Sequence, residues 1–312
     1  MHWAGIGEAG LSIGIWFLYT VNRVFGRSVF RVLLAPALLY FALVRPSARR
    51  GSAEYLRRVG VIAPDAGAIT RLTWVLRHFM RFGDALLDKA LVWAGGIDVS
   101  EAPIEVAPSF EADVAGGRGG ILVVAHFGNL EVLRAFARRL PVLKLNVLVH
   151  STNSVRFMAM LRRLNPESTV DLLQVGDMDV TMATRLADRV ETGEWIVIAA
   201  DRVPLSGVAN TVRVPFLGAG ADFPTGPWIL ASALGCPVYW LHCVEHDGRY
   251  ELHCQDFAPR VRLPRGQRTA ALQAYAAEFA ARLETCCRSE PLQWFNFYPF
   301  WPGSGDDAHH AG

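Results

Sequence analysis

The sequence predicts an α/β fold: a mixed, largely parallel central sheet flanked by helices, with an N-terminal membrane-associated helical segment. Three observations predict it. Between residues 121 and 200, short β-branched apolar runs alternate with segments of helical period, as repeated βα units require. Further on, Val238 to Val244 and Tyr250 to Phe257 flank a His-Asp-Gly turn, a hairpin signal that adds an antiparallel pair. Residues 1–60, by contrast, are two apolar runs broken and followed by arginine.

That N-terminal segment is the least like the rest. Ala9 to Val21 and Val32 to Val44 are the apolar runs, and Arg23, Arg27 and Arg31 separate them. Arg45, Arg49, Arg50, Arg57 and Arg58 follow, so eight arginines stand against only Glu8 and Glu54. With Trp16, Tyr19 and Tyr40 at the boundaries, such helices suit a bilayer interface with anionic headgroups. The arginine excess would hold these flanks on the cytoplasmic side. No window reaches the roughly 18 to 20 uncharged apolar residues of an unambiguous span, so monotopic attachment is favoured over a crossing. Two core helices with basic, solvated ends are the alternative. A cleaved signal peptide fits poorly, because the first arginine follows the first apolar run.

Composition narrows the classes further. Hydrophobic residues make up 52% and charged ones 19%, oily for a soluble enzyme. The net charge of +2 accompanies apolar runs rather than a polar face, so no nucleic-acid surface is indicated. Cys236, Cys243, Cys254, Cys286 and Cys287 show no CxxC spacing, and the odd count argues against a disulfide framework. They read as reduced thiols facing a cytosol. No histidine and cysteine cluster has zinc spacing, and neither HExxH nor a GxSxG elbow occurs.

In chain order, Pro64 to Gly67 reads as a junction, and Thr73 to Trp93 as a packing helix whose His78 is structural. The glycines of 116–120 form a turn before a strand, not a phosphate-binding loop after one. Then follow a strand from Ile121, a helix over Asn129 to Arg139, and a strand over Leu145 to His150. A helix over Val155 to Leu164 and a strand over Val170 to Val175 come next. Asp177 is placed to cap a helix running to about Glu191, and Trp195 to Ala200 is another buried strand. Thr211 to Val214 is a short strand, a helix starts at Pro224 to Pro227, and Thr269 to Cys287 is the last helix. The chain thus divides into a membrane segment (1–60), a catalytic domain (61–302) and a disordered tail (303–312).

The chemistry concentrates at ILVVAHFGNLE, Ile121 to Glu131. A buried strand ends at His126, Gly128 and Asn129 bend the chain, and Glu131 falls in the first helical turn. Open α/β sheets carry their sites at the carboxyl ends of strands. An imidazole can take a proton from a hydroxyl at cellular pH, and a carboxylate on its other nitrogen fixes the tautomer. Backbone N–H groups at the helix start could meet a developing oxyanion. The spacing alone is weak. With 29 acidic residues in 312, a histidine meets one five positions on by chance roughly one time in ten. His242 with Asp247 and His246 with Glu251 share the spacing, but both fall across the hairpin. Only His126 stands where a strand ends and a helix begins. A buried histidine satisfied by a local glutamate is the structural alternative.

HFGNLE resembles the HX4D/E motif of the lysophospholipid acyltransferase superfamily, in particular its bacterial lipid A biosynthesis acyltransferase-like branch. AADRVP (199–204), VPFLGAGADFPTGP (214–227), LASALGCPV (230–238) and QWFNFYPFW (293–301) resemble further blocks of that branch in order. So does the pairing of two apolar helices with YLRRV. The resemblance implies a membrane-associated acyltransferase that moves a fatty acyl chain from an acyl carrier protein or coenzyme A thioester to a lipid hydroxyl. His126 would be the base and Glu131 its partner, with no metal, no cofactor and no covalent acyl-enzyme. The candidate substrate-binding residues are Gly128, Asn129, Arg156, Asp201, Arg202, Phe216 and Thr225. Phe216, Thr225 and Pro227 would shape a turn and a helix start rather than act chemically. Many lipid A enzymes carry Asp-Gln where this chain has Asp201-Arg202, the form of a sister group of predicted acyltransferases. Lipid A is therefore one acceptor among several, beside ornithine lipids, other glycolipids and a polyene-type lipid. Arg202 and Arg156 suit a phosphate of the donor arm or of an anionic headgroup, or ordinary ion pairing. Asp201 could orient Arg202 or cap a loop. A lipid hydrolase using the same pair, and a non-catalytic lipid-binding protein, are the rival readings.

Overall fold

Strand β2 (Gly120–Val124) is buried on both faces and has parallel neighbours on both sides. Its five residues, four of them Ile, Leu or Val, belong in the middle of a covered sheet. The structure, a computed structural model, describes residues 8–93, 102–129, 143–149, 170–174, 180–203, 210–246 and 248–302. Around β2 the sheet adds β1 (Ile104–Val106), β3 (Leu145–Val149), β4 (Val170–Gln174), β5 (Trp195–Ala199), β8 (Val238–His246) and β9 (Arg249–Ala258). The order is β1-β9-β8-β2-β5-β3-β4, parallel throughout except for the β8–β9 hairpin. This is the mixed, largely parallel sheet the sequence predicts.

Alternation along the strands feeds two cores. Ile121, Val123, Ile196, Ile198 and Trp240 pack with Tyr55 of α2 (Pro46–Arg58), Leu186 of α5 (Val180–Glu191), Trp228 of α6 (Gly226–Leu234) and Phe279 of α7 (Arg268–Ser289). Leu122, Val124, Trp195, Val197 and Leu241 point the other way, against Phe110 of α4 (Pro108–Ala115) and Val92 of α3 (Ala68–Trp93).

Three elements lie beyond what periodicity announces. β1 has three residues and α4 eight, too few to show a period. β7 (Ala219–Pro224), with two of its six residues Ala and one Gly, pairs antiparallel with β6 (Thr211–Phe216) in a separate two-stranded sheet. Leu217 and Gly218 make the turn between them, both at positive φ (48° and 79°). That is the backbone a two-residue hairpin loop requires, and the Glu284 carboxylate accepts the Leu217 N–H at 2.6 Å. The helices expected after Asn129 and from Val155, the Asp177 cap and the tail from Gly303 lie outside the described residues.

At the N-terminus α1 (Glu8–Val44) is two helices joined at a kink, where Gly26 has non-helical backbone (φ 80°, ψ 174°) between the two apolar runs. Beyond the kink, the charges of Arg27 and Arg31 are met from afar. Arg31 makes a two-pronged pair with Asp84 of α3, at 3.0 Å on each prong, and Arg27 pairs with Asp88 one turn on. Those acids lie 53 and 61 residues along the chain, so the local count of eight arginines against two glutamates missed them. Arg58, also expected to face headgroups, pairs with Glu54 at 2.9 Å and covers the Trp301 ring at 4.6 Å. Gly83 lets α1 and α3 touch, since a Cβ there would collide with the Leu34 side chain. Val24–Val44, 21 residues, is long and apolar enough to cross a membrane. Val24, Phe25, Val32, Tyr40 and Leu43 on it are each at least 60% exposed, an apolar surface too continuous to be incidental.

Candidate active site

The pairing of β2 with β5 builds the site. Val124 stands opposite Ala199 in parallel register, and the Ala200 N–H donates to Val124 O at 2.9 Å. Two residues beyond each strand end therefore lie side by side. They are His126 and Asp201. His126 Nδ1 is 2.8 Å from Asp201 Oδ1, and the His126 backbone N–H donates to Oδ2 at 2.8 Å. Trp294 Nε1–H donates to the same Oδ2 at 3.0 Å. With Nδ1–H given to the carboxylate, the neutral imidazole keeps its lone pair on Nε2. The His126 side chain is 35% exposed while Asp201 is 1% exposed, so the pair has a buried end and an open one.

Burial alone would raise the Asp201 carboxyl. The facing His126, reinforced by Arg202 and the Trp294 N–H, outweighs burial and holds it down at about 2. Asp201 is thus ionised at any physiological pH, as a carboxylate that stabilises an imidazolium must be.

The turn after His126 is gripped from three sides. Phe295 N–H donates to His126 O at 3.0 Å and Gly128 N–H to Gln293 O at 2.8 Å, so Phe127 and Trp294 form an antiparallel bridge that ties the C-terminal stretch to the turn. Gly128 has φ 65°, and a Cβ there would overlap the Cys243 carbonyl oxygen. Any other residue is excluded twice over. Asn129 is 1% exposed and donates from Nδ2 to Tyr250 Oη at 3.4 Å. The N–H groups of His126 and Gly128 are both used inside the protein, while the helix start whose N–H groups the sequence offers to an oxyanion lies outside the described residues.

The remaining candidates divide. Arg202 is exposed beside the pair, its Nη2 donating to Phe295 O at 3.0 Å. Phe216 is fully buried among Phe223, Trp294, Phe300 and Trp301. Thr225 Oγ1 donates to Asn210 O at 2.9 Å next to the start of α6. These two shape the block, as their sequence context suggests. Glu131 and Arg156 lie outside the described residues. Of the spacing decoys, His246 binds Glu290 at 2.8 Å rather than Glu251, and His242 stacks on His253 across the hairpin.

Asp201's partnership with His126 is what sequence reasoning missed. It stands 75 residues away, and the sequence offers Asp201 only to orient Arg202 or to cap a loop. A signal existed: VVAH and IAAD end two buried strands in the same way, and adjacent parallel strands bring such ends together. Trp294 was hidden among six aromatics in nine residues. Among the described residues no group of acidic, histidine and cysteine side chains is arranged to hold a metal.

A seven-stranded α/β sheet with a histidine–carboxylate pair at adjacent strand ends defines an enzyme-like site built for proton transfer. Comparison with known proteins sharpens the class. The family model for bacterial lipid A biosynthesis acyltransferase matches residues 105–302, from β1 through the aromatic C-terminal stretch, and the chain belongs to that family. It is also similar to a phosphatidylinositol mannoside acyltransferase of Mycolicibacterium smegmatis, 28% identical over 209 residues. That match takes in 62% of this chain and 60% of the relative's length.

Proposed function

We propose that this protein is a membrane-associated acyltransferase, with His126 as the general base. Nε2 takes the proton of an acceptor hydroxyl on a membrane lipid as its oxygen attacks the carbonyl carbon of a thioester. The new C–O bond forms, the C–S bond breaks, and the imidazolium returns its proton to the departing thiolate. Asp201 keeps Nδ1 protonated and faces the transient positive charge. The observation that carries this reading is the 2.8 Å contact from His126 Nδ1 to a buried, ionised Asp201 in a chain of this family. Glu131, offered by its spacing for the same orienting role, is retained as a second carboxylate of the site.

The donor in this reading is acyl carrier protein or coenzyme A, and Arg202 and Arg156 are its phosphate contacts. The acceptor is a glycolipid of the lipid A type or another anionic membrane lipid. The exposed apolar face of α1 seats the protein on the cytoplasmic side of a bacterial inner membrane. Deleting residues 1–60 then releases it from membranes, and retention of the truncated form would place the attachment elsewhere. The acceptor is found by mass spectrometry of lipid extracts from cells with and without the chain. An acylated lipid present only with the wild-type protein supports transfer. Free fatty acid released with no acylated product would make it a hydrolase.

A further inference from the structure

A line of side chains joins α1 to the turn that carries His126, and the acid–base pair makes no use of it. Arg27, just past the Gly26 break, pairs with Asp88 Oδ1. The other oxygen of Asp88 accepts the Tyr250 hydroxyl at 2.6 Å, and that hydroxyl accepts Asn129 Nδ2–H at 3.4 Å. Asn129 is three residues from His126. Every inner member is buried: Asp88 is 2% exposed, Tyr250 8% and Asn129 1%. A buried carboxylate is costly unless its oxygens are matched. A tyrosine and an arginine from different parts of the chain match these. Burial holds the Asp88 carboxyl above its ordinary value, and Tyr250 and Arg27 offset this only in part. The parallel Arg31–Asp84 pair, one helical turn along, holds the two helices in register but ends on α3. The Asp88 branch continues to the catalytic turn. On the far side, Arg81 of α3 pairs with Glu245, whose backbone N–H donates to Gln293 Oε1, so the same helix also braces the strand beside Gly128.

We propose that Asp88 and Tyr250 are positioning residues, which, through Arg27, make the placement of the His126 turn depend on the seating of α1. The proposal rests on the acyl-transfer reading for its kinetic consequence, though not for its structural one. Tyr250 fixes Asn129, Asn129 starts the segment after Gly128, and the orientation of His126 follows from the turn. An enzyme whose apolar helix meets the lipid surface thereby has its base aligned by the element that does the docking.

The test compares Tyr250→Phe, Asp88→Asn, Arg27→Ala and Arg27→Lys in the full chain. One readout needs no substrate: the rate at which diethyl pyrocarbonate modifies His126, followed by peptide mass spectrometry at pH 7, with His253 as internal reference. Tyr250→Phe and Arg27→Ala should change the His126 rate at least threefold, with the His253 rate constant and Arg27→Lys returning to near wild type. The second readout is acyl transfer, where kcat should fall about tenfold at unchanged KM. Melting temperatures identify any variant that fails to fold, and Tyr250→Phe, which keeps the ring, carries the result if Asp88→Asn does not. If His126 reactivity and kcat stay within twofold of wild type in folded Tyr250→Phe, the proposal is overturned. A reactivity change in a protein whose wild type transfers no acyl group would uphold the positioning role and reject acyl transfer.

Discussion

His126 and His78 meet the same tryptophan and come to opposite ends. Trp294 donates its indole N–H to Asp201, the partner of His126, and offers its carbonyl to His78 Nε2 at 3.0 Å. His78 lies inside α3, fully buried, with Ser52 Oγ at 2.9 Å from its other nitrogen. Both of its nitrogens are satisfied and neither has access to a substrate. His126 has one nitrogen held by a carboxylate and a side chain that is 35% exposed. In the proposed mechanism, what separates the base from a structural histidine is the strand end beneath it and the carboxylate that holds its Nδ1.

The comparison can be broken in order of effect. Replacing His126 with alanine should lower acyl transfer on the order of 10³-fold, the usual worth of a general base, with little change in melting temperature. Replacing His78 should do the reverse. His78→Ala leaves Ser52 and the Trp294 carbonyl unmatched in the core, and should cost about 2–4 kcal/mol in denaturant unfolding.

Asp201→Asn sharpens the account of the pair. Its amide cannot match both the His126 ring and the Trp294 indole as the carboxylate does, and transfer should drop by roughly 10²- to 10⁴-fold, as when a catalytic histidine loses its anion. Running Glu131→Gln beside it assigns the orienting role, and a deeper loss in Glu131→Gln would move that role away from Asp201.

A third consequence is read in pH. Burial lowers His78 to about 4 from an ordinary 6.5. Between these values only the unfolded chain binds the proton, so stability is full above about 6.5 and declines as pH falls toward 4. Its size is about 3 kcal/mol at most. The slope between pH 6.5 and 4 in urea midpoints should flatten in His78→Asn. The smallest effect concerns Trp294→Phe, which keeps the ring and removes one N–H from Asp201. A loss of about 1–2 kcal/mol and a few-fold fall in transfer are expected.

Much of this was legible along the chain. The buried runs at Ile121 and Trp195 announce their strands, the His-Asp-Gly turn announces the β8–β9 hairpin, and the location of His126 at a strand end follows from the abrupt stop of VVA. Long-range partnerships were not legible. Asp201 reaches His126 only through the β2–β5 register, and Asp84 and Asp88 reach Arg31 and Arg27 only through helix packing. Local charge counting assigned those arginines to lipid, whereas folding gave them to α3. Spacing within the motif proposed Glu131, while the described geometry adds a carboxylate from the next strand.

The most direct measurement is transfer of a labelled fatty acyl group from acyl carrier protein into membrane lipid by wild-type, His126→Ala and Asp201→Asn proteins of matched melting temperature. The expected result is a labelled lipid from the wild type and at least a hundredfold less from each variant. Full transfer by the His126→Ala protein would contradict the account.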